Sequence, residues 1–161
     1  MDLLLVRHAT AEDGRPGRSD ADRRLTAEGR REFLRALAGL RRLDPEPTRI
    51  LTSPLVRARE TAELLAEQVA GPEPEEWPLL APGGSLEGIL RDLRGAGETV
   101  VLVGHEPGLG RLVSLCLAGA AGDNTPLKKG GMARIRFDGA PRPGRGRLVW
   151  LLTPGLLRRI G

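Results

Sequence analysis

Tyrosine is absent from this 161-residue chain, and two phenylalanines and two tryptophans are its only other aromatics. Single-strand nucleic-acid binders need aromatic platforms on which bases stack, so that class has no support here. Only two of the 25 basic residues are lysines, Lys128 and Lys129, and the rest are arginine. The formal charge is +4 and the pI is about 10.4. The pI is high because almost nothing titrates between the carboxylates and arginine, and biased codon usage accounts for the arginine content as well as function does. Most of these arginines are expected on the solvated surface, and no nucleic-acid partner is expected. The single cysteine, Cys116, cannot form an internal disulfide; it lies in an apolar run and reads as a small buried hydrophobe. No stretch approaches the ~20 apolar residues of a membrane-spanning helix. Met1-Asp2 leads straight into an apolar run, without the basic segment, apolar core and small-residue cleavage site of a secretory signal. A cytoplasmic location away from any membrane is therefore expected. The length suits one domain, residues 1–161, with a proper core.

Leu3 to Val6 is a run of four aliphatic residues that stops at Arg7 and His8. An unbroken apolar run reads as a strand buried on both faces, because a half-exposed strand would alternate. Glu12 to Arg24 has no apolar residue except Ala21 and reads as an exposed loop. Leu25 to Leu43 then shows helical spacing at Phe33, Leu37, Leu40 and Leu43, with Thr26 and Gly29 marking the entry turn. Arg49 to Thr52 is a short strand. Ser53 and Pro54 are expected to cap and open the next helix, whose buried stripe is Ala58, Ala62, Leu65 and Val69.

The proline- and glycine-rich stretch from Gly71 to Gly84 holds Trp77 and Leu79-Leu80 and reads as a loop with a short strand in it. Ser85 to Leu93 is a short amphipathic helix, and Thr99 to Val103 is a second buried strand, ending at Gly104-His105. A helix carrying Leu109, Leu112, Val113 and Cys116 follows, and then a loop from Ala118 to Gly131. Met132 to Phe137 and Arg147 to Leu152 flank a Gly/Pro-rich turn and close the chain as a hairpin. Strand and helix thus alternate through most of the chain. The fold expected is α/β: a doubly wound, mostly parallel sheet with an antiparallel edge strand and helices on both faces.

In open sheets of this class, ligands bind beyond the carboxyl ends of the strands. Arg7-His8 follows the first strand, Arg57 lies in the opening turn of the helix after the second, and His105 follows the buried strand at Thr99. Both histidines of the chain fall at such ends. These are residue types suited to a phosphate: arginine presents a planar fork to two oxygens, and a helix amino terminus adds free N–H groups. An ordinary loop histidine is the bland alternative for His8 alone. Ser53 lacks the nucleophile elbow G-x-S-x-G. No His/carboxylate cluster at ligand spacing adjoins either histidine, so no metal or cofactor is expected. The glycines from Gly104 to Gly110 match neither the dinucleotide nor the Walker pattern.

Val6-Arg7-His8-Ala9, Leu25-Thr26-Ala27-Glu28-Gly29, Ser53-Pro54-Leu55-Val56-Arg57-Ala58 with Thr61-Ala62, and Val103-Gly104-His105 together resemble the histidine phosphatase superfamily, which includes the phosphoglycerate mutases. The short length, Lys129-Gly130-Gly131 and Trp150 to Pro154 resemble its small branch, the SixA-type protein phosphohistidine phosphatases. The resemblance implies a metal-independent phosphatase in which His8 attacks phosphorus and becomes phosphohistidine. Arg7, Arg57 and His105 would hold the phosphoryl oxygens, and Arg23 matches a further phosphate-binding arginine. His8 would react as the neutral imidazole, while a bound phosphate dianion would favour protonated His105.

Larger members carry a glutamate general acid after their third strand, and Glu87 is the acidic candidate in that region here. Ser85 as helix cap with Glu87 in the first turn is a sufficient structural account of the same residues. Glu12 and Glu106, beside the histidines, are fallbacks. The implied partner is a phosphorylated protein carrying phosphohistidine. The alternatives are a small phosphorylated metabolite as substrate, or a non-catalytic phosphate-binding regulatory module.

Overall fold

Leu3 and Leu5 point to one side of the first strand and Leu4 and Val6 to the other, and all four are fully buried. Such a strand must be central and covered on both faces. In the computed structural model, which describes residues 1–161, that strand is β1 (Asp2–Arg7). The remaining strands are β2 (Arg49–Thr52), β3 (Glu75–Glu76), β4 (Thr99–Gly104), β5 (Met132–Arg136) and β6 (Arg147–Leu152). They form one sheet in the order β3-β2-β4-β1-β5-β6. β1 to β4 run parallel; β5 is antiparallel to β1 and to β6, so the antiparallel strand lies inside the closing hairpin and β6 is the edge.

Two apolar layers follow from the alternation. On one face α1 (Ala27–Arg42) and α2 (Val56–Val69) pack Phe33, Leu37, Leu40, Ala58, Ala62 and Leu65 against Leu4 and Val6. On the other, α3 (Leu86–Asp92) and α4 (Gly108–Ala118) pack Ile89, Leu90, Leu109 and Leu112 against Leu3 and Leu5. Cys116 lies fully buried in this second layer, and burial pushes its thiol up to about 12. It is a packing residue, as its apolar setting indicates.

The entry signals of α1 and α3 hold. Thr26 Oγ1 accepts from Gly29 N–H at 2.9 Å and Ser85 Oγ from Gly88 N–H at 3.0 Å. Gly29 is required for a second reason: a Cβ there would stand 2.1 Å from the carbonyl oxygen of Thr10, so only glycine lets α1 lie against the loop leaving β1.

Two readings need correction. α2 begins at Val56 after Leu55, which has no side-chain cap, so Ser53 and Pro54 lie outside the helix. The chain also ends in a helix, α5 (Pro154–Ile160), capped by Thr153 and packed on α1 through Leu157. The stretch read as an exposed loop, Glu12 to Arg24, is largely exposed but contains a one-turn 3-10 helix at Asp20–Asp22 and an isolated bridge from Ala11 to Leu25. No helix is long and apolar enough to cross a membrane.

Candidate active site

The register of the parallel strands builds the centre of the site. Arg7 of β1 lies opposite Gly104 of β4, so the next residue of each chain segment, His8 and His105, emerges side by side. Their ring centroids are 5.0 Å apart with planes inclined by 54°. Thr52 of β2 lies opposite Val103, which sets Ser53 next to His105 on the other flank. Sequence reading brought the two histidines to the same sheet edge, and the register brings them into contact.

His8 is 7% exposed, and its Nδ1 lies 2.7 Å from the carbonyl oxygen of Ala9. A carbonyl only accepts, so Nδ1 carries the hydrogen and Nε2 carries the lone pair. Burial, followed by the charges of Arg57, Arg7 and Lys129, lowers the His8 pKa to about 4, against the opposing hydrogen bond to Ala9. The ring is a neutral imidazole near pH 7, as nucleophilic attack requires. His105, 6% exposed, is lowered to about 3, first by burial and then by His8 and Arg57. It too is neutral in this structure; a phosphate dianion would act against that depression rather than find a cation in place.

Three of the expected residues carry buried nitrogens without a hydrogen-bond partner in the protein: Arg7 Nε, Arg57 Nε and His105 Nδ1. Arg59 Nε, on the outer side of α2, is unpaired as well, but buried polar groups are almost always paired, so unpaired ones on three residues of this sheet edge fit a place for a ligand. Arg7 is held by Nη1 donating to Leu127 O at 2.8 Å. Its backbone is fixed by the glycines before β5: Gly131 O accepts from Arg7 N–H, and Gly130 N–H donates to the carbonyls of Arg7 and His8, each at 3.1 Å. Gly130 has φ +72°, where a side chain would be strained.

Arg57 enters from the first turn of α2 and is 4% exposed. One turn later, Thr61 Oγ1 donates to Arg57 O at 2.6 Å and accepts from Ala9 N–H at 3.1 Å, tying α2 to the loop that carries His8. Glu60, on the same helix face and buried, accepts from Leu25 N–H and pairs with Arg24. The fully buried Ser53, read from the sequence as a helix cap, lies with Oγ 2.8 Å from His105 Nε2 while accepting from Leu55 N–H at 3.3 Å.

Arg23 reaches the same cluster through Asp20, a residue the sequence reading passed over. Both Arg23 and Arg57 bind the Asp20 carboxylate. Burial alone would raise the Asp20 pKa, but the hydrogen bonds from Arg23 and Arg57 hold it below the usual carboxylate range. Glu87 is not brought to the cluster: it is exposed in the first turn of α3 and makes no hydrogen bond or ion pair with either histidine or with Arg57. Glu106 accepts from Leu127 N–H at 3.0 Å, and Glu12 pairs with Arg18. A cleft of about 130 Å³ opens beside His105, walled by Leu79, Leu80, Pro82, Leu86 and Leu109. No three His, Cys, Asp or Glu side chains gather as a metal-holding group. The arrangement can therefore receive a multiply charged oxyanion next to a neutral imidazole nucleophile.

Comparison with known proteins agrees with this geometry. Residues 3–92 match the model of the histidine phosphatase superfamily, branch 1. An uncharacterised protein of Picosynechococcus is 39% identical over 144 residues, covering 87% of each chain. The structure of the protein histidine phosphatase SixA complexed with tungstate superposes with a TM-score of 0.84 at 26% identity, over 96% of this chain and 98% of that one. A mycobacterial glucosyl-3-phosphoglycerate phosphatase shares the fold at TM-score 0.71 and 17% identity, over 94% and 98% of the two chains. With the family model covering more than half of the chain and the His8–His105 edge assembled as described, the protein belongs to the histidine phosphatase superfamily, as a SixA-like phosphatase.

Proposed function

We propose that this phosphatase hydrolyses phosphohistidine on a protein, through a phosphohistidine intermediate at His8. The observation that carries the proposal is the tautomer of His8. With Nδ1–H donated to Ala9, the Nε2 lone pair is free, in a ring that burial keeps neutral. Nε2 attacks phosphorus in line, the P–N bond of a substrate ring protonated on its other nitrogen breaks, and the bonding pair leaves on a neutral imidazole. Water then attacks phosphorus, the bond to Nε2 breaks, and phosphate departs. Phosphoryl transfer of this kind depends on positioning and on neutralising the phosphoryl oxygens. Arg7, Arg57 and His105 supply donors for those oxygens, and Arg23 adds a further guanidinium. Ser53 positions His105 through the 2.8 Å hydrogen bond between its Oγ and Nε2, leaving Nδ1 for the phosphoryl group.

The protein substrate is supported by the likeness to a protein histidine phosphatase and by the largely apolar wall beside His105, where the one lining carboxylate, Glu106, accepts from Leu127 N–H. Such a wall suits a leaving group that brings its own proton, as a protonated phosphohistidine ring does. A cytoplasmic setting fits such a partner. Rapid quenching with a labelled phosphohistidine protein should trap an acid-labile, base-stable phosphoenzyme, absent in His8→Ala, and unaffected by chelators. An acid-stable label on serine, or activity lost in chelator, would overturn the reading. Efficient turnover of a sugar phosphate with none of the phosphoprotein would move the substrate to a metabolite.

A further inference from the structure

We infer that Asp20 is a displaceable counter-anion, which holds the guanidinium forks of Arg57 and Arg23 until a phosphoryl group takes them; this rests on the phosphatase reading of the site. Arg57 Nη1 donates to the backbone carbonyl of Asp20 at 2.7 Å, and Nη2 donates to its carboxylate Oδ2 at 2.9 Å. Arg23 donates to Oδ1 through Nε at 2.8 Å, and its Nη2 lies 2.7 Å from the same oxygen. One carboxylate thus bridges two arginines, as a phosphoryl group bridging the same pair would. Two anions cannot share those N–H groups, so Arg23 cannot bind phosphate through its Nε/Nη2 edge while Asp20 stays.

The two partners differ in freedom. Arg57 is buried and fixed to α2, whereas the Asp20 side chain is 65% exposed on a single 3-10 turn within an exposed loop. A buried guanidinium without an anion is costly, and an exposed carboxylate that swings into water loses little. The turn therefore supplies an anion that keeps Arg57 and Arg23 aimed and that leaves cheaply. Its displacement weakens every ligand of the two forks by the same factor. Substrate and the phosphate product are affected alike, so phosphate is released more readily.

That uniform factor is the test. Asp20→Asn keeps the shape and removes the charge. Titration calorimetry with inorganic phosphate should show Kd falling about tenfold, the scale of a charge-assisted pair discounted for exposure. The inhibition constant for vanadate and the KM for nitrophenyl phosphate should fall by a matching factor, with kcat changing less. Asp22→Asn, a charge removed from the same turn without an ion pair, should shift phosphate binding less than twofold. Unchanged or weaker phosphate binding by Asp20→Asn would overturn the inference and make Asp20 a fixed support of Arg57. Phosphate that binds neither the parent protein nor the variant would instead remove the phosphatase reading of the site, and the inference with it.

Discussion

The two ends of β1 carry opposite electrostatic solutions. At the amino end Asp2 accepts from Arg134 and Arg136 of β5, which the antiparallel register places opposite Leu4 and Asp2. The buried carboxylate there has its partners on the neighbouring strand. The hydrogen bond from Arg136 leads in lowering the Asp2 pKa to about 2, against the effect of burial and with further help from Arg134. At the carboxyl end two buried histidines face Arg7 and Arg57, and the carboxylate that pairs with Arg57, Asp20, comes from an exposed turn. Matched charges on rigid strands stabilise the fold. Cations held together with unpaired donors cost stability and acquire their value when an anion arrives.

The sharpest way to break this comparison is to remove one cation from each kind of setting. Arg57→Ala should lower kcat/KM by about 10²–10³, as when one preorganised oxyanion donor is lost. Arg59→Ala, two positions along the same helix, should change it by less than about threefold, since its guanidinium pairs with the exposed Glu76. Equal effects in steady-state kinetics would place the wrong arginine at the phosphoryl group.

The pH profile tests the same end of β1. A histidine of ordinary pKa near 6.5 would be only about 3% neutral at pH 5, a loss of roughly 30-fold. His8 has its pKa lowered to about 4, so the acid limb of kcat/KM should fall through that region and activity should persist at pH 5. The same depression makes the unfolded chain bind more protons than the folded one below pH 6.5. Stability should therefore decline as pH drops from 6.5 towards the folded values near 4 and 3. An acid limb near 6.5 would show that His8 is solvated.

At the other end, Asp2→Asn should cost about 1–3 kcal/mol of unfolding free energy and leave kcat/KM unchanged. With the folded pKa depressed to about 2, the contribution is present above the unfolded value and lost as pH falls through 2. Denaturant unfolding paired with kinetics checks both halves. A loss of activity without a loss of stability would mean that the two ends are not independent.

What was legible in the sequence was what short-range pattern can encode. The unbroken apolar runs of β1 and β4, the stripe of α1 and the caps Thr26 and Ser85 are local, and each is where its spacing puts it. The placement of Arg7, His8, Arg57 and His105 at one sheet edge was legible because each ends or follows a strand or opens a helix. Ser53 was misread because Ser-Pro is a good local cap signal, while its real partner, His105, is set by the register of β2 on β4. Asp20 was missed for the same reason: a polar loop gives no sign of which buried arginine its carboxylate meets. α5 was missed because it is a single short helix containing Gly155, and its Thr153-Pro154 entry signal is weak without the packing on α1.

The smallest expected effect concerns proton supply to the leaving group. Glu87 is exposed, the wall beside His105 is mostly Leu79, Leu80, Pro82 and Leu86, and the carboxylate that does line it, Glu106, is held by Leu127 N–H. An alkoxide expelled without a proton is a strong base and leaves slowly, so a site without a placed acid discriminates by leaving group. The imidazole of phosphohistidine leaves from a labile P–N bond, and nitrophenolate shares that ease in part. Turnover should therefore be measurable for phosphohistidine and nitrophenyl phosphate and poor for phosphoserine and phosphoglycerate. Glu87→Gln should alter the phosphohistidine rate by less than about twofold, the scale of an exposed helix-terminal charge acting at a distance. Efficient hydrolysis of an alkyl phosphate that collapses in Glu87→Gln would show α3 moving its first turn over the cleft, and would give the carboxyl end of β1 an acid that the structure keeps in solvent.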